Sequence, residues 1–357
     1  MYNAFYDVSV YTAVKGTEDL PRHSEGTIIE LKDKSLLLAW QRYEKSDVGS
    51  GDHAPSTISM MNSYDGGKTW ENFRIVAQRT PDCVNLYSPS LYRCSDGSLS
   101  LFFKRYLQLA PRQPRIMRIS RMDSFDEGKT WSEETTLWDQ VNFTPINHAV
   151  KRSNTGATLI PLNYFIGGWC SPDETHQISV LRSEDDMRTF TESNKLDLPM
   201  RGPMEPCIAQ QANGKWQMVM RTQLGSVFKS ESLDDGRTWS KPQTTGLHAP
   251  ESCPCVATIP GTDVQIVVWN NAEYDMYWRS HYGKRTPLTM ALSRDGLKTF
   301  TDFYDVETDP DRGYSNPTIS FTEDGLCVLT YFTMAYAPKG YMVGPADLKV
   351  ATFRVKM

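Results

Sequence analysis

Arginine, carboxylate, phenol and imidazole side chains recur in this chain at the edges of short apolar segments. Arg22-His23-Ser24-Glu25, Tyr87-Ser88, Asn147-His148, Met204-Glu205, Glu251-Ser252 and Tyr314-Ser315 each open such a segment. Gln41-Arg42, Lys104-Arg105, Asn163-Tyr164, Arg221, Asn270-Asn271 and Tyr331 each close the segment that follows. Asp47, Asp52, His53 and Arg285 lie in the polar stretches beyond. A guanidinium is a planar fork that fits a carboxylate through two parallel hydrogen bonds. Arg22, Arg221 and Arg285 therefore suit an anionic small ligand, with His23, His148 and Asn270 as further candidates for substrate contact. A histidine also accepts a proton near neutral pH. Taken singly, each of these residues has an ordinary reading: a surface ion pair, a packed ring, a hydrogen-bonded imidazole.

Two independent repeat series say what brings them together. Ser-x-Asp-x-Gly-x-Thr-Trp occurs at Ser63–Trp70, Ser124–Trp131 and Ser232–Trp239, with degenerate copies at Ser183–Phe190 and Ser293–Phe300. The steps between the serines are 61, 59, 49 and 61 residues. A short Asp side chain accepts hydrogen bonds from turn N–H groups, and Gly allows positive φ. These motifs read as structural turns with an aromatic anchor. The second series is a set of polar turns at Asp33, Asp96, Asn154, Asn213, Thr262 and Asp324, spaced by 63, 58, 59, 49 and 62 residues. The short step of 49 residues falls at the same place along the chain in both series. Six units of about 60 residues account for the chain, and each reads as four antiparallel strands, which predicts an all-β, six-bladed propeller.

In a propeller the first strand of each blade lines the central channel. The second-series turns join strands one and two at one face, so the segment edges above emerge together at the other. Unit six lacks an Asp motif. Its missing strand is expected from Asp7–Ala13, closing the ring against Lys349–Val355. The whole chain, 1–357, is expected to be one domain.

The Asp motifs and the residue order of this mouth resemble the sialidase (neuraminidase) superfamily over essentially the full length. Glu205, at the head of Glu205-Pro206-Cys207-Ile208-Ala209, followed by Arg221, is similar to the family's catalytic Glu and second arginine. Arg285 precedes the fifth Asp motif as the third arginine does, and Arg22 stands near the first. Tyr314-Ser315 looks like the nucleophilic tyrosine, and Asp52, eleven residues before Ser63, like the acid/base. The resemblance implies exo-hydrolysis of a terminal acidic sugar. Tyr314 would attack, Glu205 take its proton, Asp52 protonate the leaving oxygen, and the arginines clamp the substrate carboxylate. It implies no metal and no cofactor.

Other functions compete on the same scaffold. His23 and His148 with an arginine suit β-elimination from a uronate polysaccharide. An exo-acting arabinan hydrolase, or a glycan-binding propeller without catalysis, would share the repeats. The net charge of −5 gives no nucleic-acid signature. No apolar run approaches the roughly 20 residues of a membrane helix. The first residues lack the pattern of a signal peptide, so a cytoplasmic chain is the simplest expectation, although removal of an export signal would leave the same sequence. The seven cysteines read as mostly buried and reduced.

Overall fold

Central strands of the chain are continuous buried runs, such as Leu36–Tyr43 and Leu99–Leu107, whereas outer strands such as Glu71–Ala77 and Thr301–Glu307 alternate exposed and covered residues. That pattern fits sheets packed on both faces by other sheets with one edge toward solvent. The computed structural model describes residues 3–49, 51–108, 116–167, 173–278, 280–337 and 340–357. They form six antiparallel blades around an axis, and no helix. Blade one runs from His23–Glu30 outward to Glu71–Ala77, and blade two from Cys83–Arg93 to Thr135–Val141. Blade four starts at Met204–Gln210, blade five at Cys255–Thr258 and blade six at Arg312–Phe321. Blade three differs: its inner strand is broken into Phe143–Thr144 and Lys151–Arg152, both paired with Thr158–Ile166. Interleaved apolar clusters fill the gaps between blades, with Trp40, Trp216 and Trp269 fully buried on second strands.

The ring closes as the repeats predict. Phe5–Val14 is the outer strand of blade six and pairs with Met342–Val355, in the register Ser9↔Thr352, Val10↔Ala351, Tyr11↔Val350 and Thr12↔Lys349.

The five Asp motifs share one hydrogen-bond pattern. In the first, Asp65 Oδ1 accepts from the Thr69 N–H at 3.0 Å, its Oδ2 from the Thr69 hydroxyl at 2.6 Å, and Ser63 Oγ from the Gly67 N–H at 2.8 Å. The degenerate copies keep the geometry: Met187 and Leu297 adopt the positive φ of the missing glycine, at 67° and 62°.

A second device repeats on the inner strands. Glu25, Ser88, His148, Glu205 and Asn316 all have φ between 48° and 55°. In blades one, two, four and six this residue sits in a β-bulge, between Ser24/Thr27, Tyr87/Ser90, Met204/Cys207 and Ser315/Thr318. Cys253 holds the corresponding place in blade five, two residues before its register with the second strand begins at Cys255↔Val268. A bulge re-aims one side chain while the ladder continues. Five blades thus present one residue each at the same level: Glu25, Ser88, Glu205, Cys253 and Asn316; His148 of blade three lies nearer the turn ends.

Candidate active site

Glu25, Ser88, Glu205, Cys253 and Asn316 line a cleft at the channel mouth. The cleft has two joined chambers, of about 290 Å³ and about 460 Å³, which share Glu25, Asp52, Glu205, Arg221, His281 and Asn316 in their walls.

The smaller chamber gathers the three arginines. Arg221 ends its strand opposite Met204, so its guanidinium reaches back to the bulge and donates to Glu205 at 2.9 Å. Its other nitrogen donates to Glu251 at 3.1 Å. Glu251, 2% exposed, also accepts from Arg201 at 2.8 Å and Gln223 at 3.2 Å, and its carbonyl accepts from Arg285 at 3.1 Å. Arg285 donates further to the Ser315 hydroxyl at 2.8 Å. No carboxylate side chain pairs with Arg285 among the described residues. Burial and the neighbouring Arg221 charge both push its pKa down. Arg22 stacks on the rings of Tyr43 and Phe332 at 4.7 and 5.0 Å and donates to Asp52 at 2.7 Å.

Glu205 is ionised. Burial raises its pKa, but the Arg221 charge, a hydrogen bond from the Cys253 thiol at 2.6 Å and the Arg285 charge bring it down to about 2. Burial and the Glu205 charge hold Cys253 well above the usual thiol range, so it remains the donor. Asp52, on the loop after the second strand of blade one, keeps 55% of its side chain exposed toward the cleft. Desolvation there raises its carboxyl, but Arg22 outweighs this and lowers it.

Asp52, Glu205, Arg22, Arg221 and Arg285 are thus brought together, and four other residues expected at the site are not. Tyr314 is 1% exposed and lies outside the lining of both chambers. Its ring packs edge-on against Tyr331 at 6.0 Å. Burial and the charges of Glu307 and Asp309 raise its hydroxyl. The physical reason is register. Tyr314 stands before the bulge, paired with Thr333, and faces the space between blades five and six. Asn316, two residues on, holds the position that Glu205 holds in blade four. His23 stands at the same place in blade one as Tyr314 in blade six, and its ring is likewise buried, accepting from Trp40 Nε1 at 3.1 Å. Burial and Arg42 lower it to about 4. His148 bonds Thr27 at 2.9 Å and lines a separate cavity of about 410 Å³ at the turn ends of the inner strands. Burial holds it neutral. Asn270 donates to the carbonyls of Arg285 and Tyr314 at 2.9 and 3.2 Å. It braces the Arg285 segment and stands outside the cleft lining.

A family model described as a BNR repeat-like domain matches residues 34–329. The chain belongs to that family. This BNR-repeat protein matches no curated protein by sequence. Its fold matches a Dyadobacter fermentans protein of unknown function, with a TM-score of 0.76 and 15% identity over 98% of this chain and all of that one. It also matches a mutant of the NanB sialidase from Streptococcus pneumoniae, at 0.72 and 11% over 96% of this chain and 70% of that one. A third match is the intramolecular trans-sialidase from Ruminococcus gnavus, at 0.70 and 14% over 99% and 98%. At these identities the likeness is one of fold, a sialidase-like propeller.

The BNR-repeat protein also places residues in the cleft to which the sequence assigned no role. Glu25 and Lys104 stand at segment edges, so position marked them but chemistry did not; Glu251, at another such edge, is buried behind the arginines. His176, near the start of the third strand of blade three, and Arg201 and His281, on loops, have no position given by the repeats. His176 sits 2.7 Å from Glu174, and Arg201 bridges Glu174 and Glu251.

Proposed function

We propose that this protein takes a terminal acidic sugar by its carboxylate and hydrolyses the bond to the next sugar. One observation carries the reading: Arg22, Arg221 and Arg285 converge on a single chamber that also holds Asp52 and Glu205. Of the three guanidinium groups, from blades one, four and five, Arg285 pairs with no carboxylate among the described residues. The sialidases among the fold relatives support a sugar ligand.

The chemistry follows from competition for the arginines. A substrate carboxylate draws Arg22 away from Asp52 and Arg221 away from Glu205. Losing its cation raises the pKa of each carboxyl. Asp52 then takes up a proton and delivers it to the leaving glycosidic oxygen. Glu205 becomes basic enough to accept a proton from the attacking group. With Asn316 at the bulge of blade six and Tyr314 turned away, that group is water. Its oxygen bonds to the anomeric carbon as the carbon–oxygen bond to the leaving sugar breaks, its proton passes to Glu205, and the configuration inverts. Neither His23 nor His148 supports elimination chemistry, since His23 is buried and His148 lines another cavity, both away from the cleft.

The test is to offer the purified protein fluorogenic sialosides and uronides beside neutral glycosides, and to follow the first-formed anomer by proton NMR. Turnover of an acidic glycoside with inversion is expected. Retention points to a covalent intermediate and overturns the water step. Binding without turnover leaves a glycan-binding propeller, and equal binding of neutral sugars removes the reading altogether.

A further inference from the structure

Arg221 has a counterpart in blade two. In blade four Arg221 pairs with Met204, the residue before the bulge residue Glu205. In blade two Lys104 pairs with Tyr87, the residue before the bulge residue Ser88. The same register therefore sends Lys104 into the cleft, where it lines the larger chamber. Lys104 is 8% exposed. Its ammonium lies 5.1 Å from the centre of the Tyr87 ring. Among the described residues it makes no hydrogen bond and no ion pair within 4.0 Å.

A buried ammonium with three donors and no acceptor is costly unless a partner arrives. The nearby carboxylates are otherwise engaged. Glu25 accepts from the Ser88 hydroxyl, Asp52 from Arg22 and Glu205 from Arg221. Arg201, the other cation confined to this chamber, is held between Glu174 and Glu251. Lys104 is the cation of the larger chamber with no carboxylate in contact, as Arg285 is of the smaller one, though the charges of Glu25, Glu205 and Asp52 act on Lys104 across the chamber. Met117, Ile146 and Phe165 add an apolar wall beside it, which suits a sugar ring face and lowers the dielectric around the charge.

We infer that Lys104 is the centre of a second anion subsite, and that the preferred ligand carries two negative groups, one held by the arginines and one by Lys104. The inference rests on the acidic-sugar reading of the arginine chamber and adds the second charge. The second group is a carboxylate or sulfate, carried either on the same ring or on the adjoining sugar.

Calorimetric titration with three probes tests this: a methyl uronide, the same uronide bearing a ring sulfate, and a diuronide. In the wild-type protein a doubly charged probe should bind roughly 10–100-fold more tightly than the methyl uronide, the range of a charged hydrogen bond. Lys104→Met should abolish that ratio, and Lys104→Arg should keep most of it. A gain with the sulfate ester puts the second charge on the same ring, and a gain with the diuronide puts it on the neighbour. The inference fails if neither doubly charged probe gains, or if the ratio survives Lys104→Met in a variant with an unchanged melting curve. Methyl uronide binding that depends on Arg285, without any gain from the second charge, sinks the Lys104 subsite alone. Absence of binding by all three probes sinks the arginine chamber with it.

Discussion

Arg22 donates to Asp52 at 2.7 Å while lining the same chamber as Arg221 and Arg285. One guanidinium thus has two claims on it, an internal carboxylate and an incoming one. Asp52 should titrate below the usual carboxylate range in the free protein and shift upward when a uronate or sialic acid is bound. Carbon-13 NMR of labelled aspartate would follow this, with Asp52→Asn to assign the signal. On the proposed mechanism Asp52 must be protonated, so the rate should fall as pH rises through its raised pKa. A titration that ignores ligand removes Asp52 as the acid.

Tyr314→Phe should retain near wild-type turnover, because its hydroxyl faces Glu307 and Asp309 rather than the cleft. Glu205→Gln should lower kcat by about 10²–10⁴, the usual contribution of a positioned acid or base. Steady-state kinetics on the active substrate decide between them. A Tyr314→Phe variant as impaired as Glu205→Gln would restore the tyrosine nucleophile.

Arg285→Met should weaken carboxylate binding by about 1.5–3 kcal/mol, and Arg285→Lys should not restore it, since an ammonium cannot present the fork. The same Met variant should melt no lower than the parent in the absence of ligand, because a guanidinium buried without a carboxylate partner opposes folding. Calorimetry and thermal melting together make the check. A large loss of stability would reassign Arg285 to the scaffold.

Removing residues 1–15 should lower the melting temperature and promote association. The deletion bares the edge of Met342–Val355 along its whole paired length, and an unpaired edge invites another chain. Scanning calorimetry and size-exclusion chromatography would show it, and an unchanged monomer with an unchanged melt would contradict it.

Acid should unfold the ring through its turns. Asp65 is lowered to about 2: burial raises it, but hydrogen bonds from Thr69, Ser63 and Lys68 prevail. Asp126 and Asp185 are likewise lowered to about 2, chiefly by the Thr130 and Thr189 hydroxyls; burial raises Asp295, but its Thr299, Lys298 and Ser293 bonds prevail and lower it to about 2. A carboxyl lowered by folding stabilises the fold fully above its unfolded pKa, and loses that contribution as pH falls through the folded one. Melting temperatures should therefore decline from about pH 4 to pH 2. A flat profile there would show that the turns carry little of the stability.

The fold was legible because turn chemistry is local. Asp65, Thr69 and Gly67 declare a turn by residue type, and two such series with one period leave little freedom in blade number or closure. The arginines were legible because Arg221 sits at a segment edge that the period locates, and Arg285 in the polar stretch just before the fifth Asp motif. Tyr314 and His23 were misread for one cause: the edge of an apolar segment does not reveal a bulge. A slip of one or two residues past that bulge turns a side chain from the channel to the space between blades. The signal was present in part, since Ser88, Glu205, Cys253 and Asn316 each precede proline. Three of those prolines lie where a strand must lose a ladder bond, as the bulges there require. Arg201 and His281 had no such signal, because loop paths are set by tertiary packing.

The bulge repeated on the inner strands separates what the mouth is made of from what the blades are made of. In blades one, two, four and six the backbone takes the same bulge, yet the side chains are Glu, Ser, Glu and Asn. A substitution at one of them changes the reagent without altering a sheet register. Such a scaffold can exchange its chemistry one blade at a time.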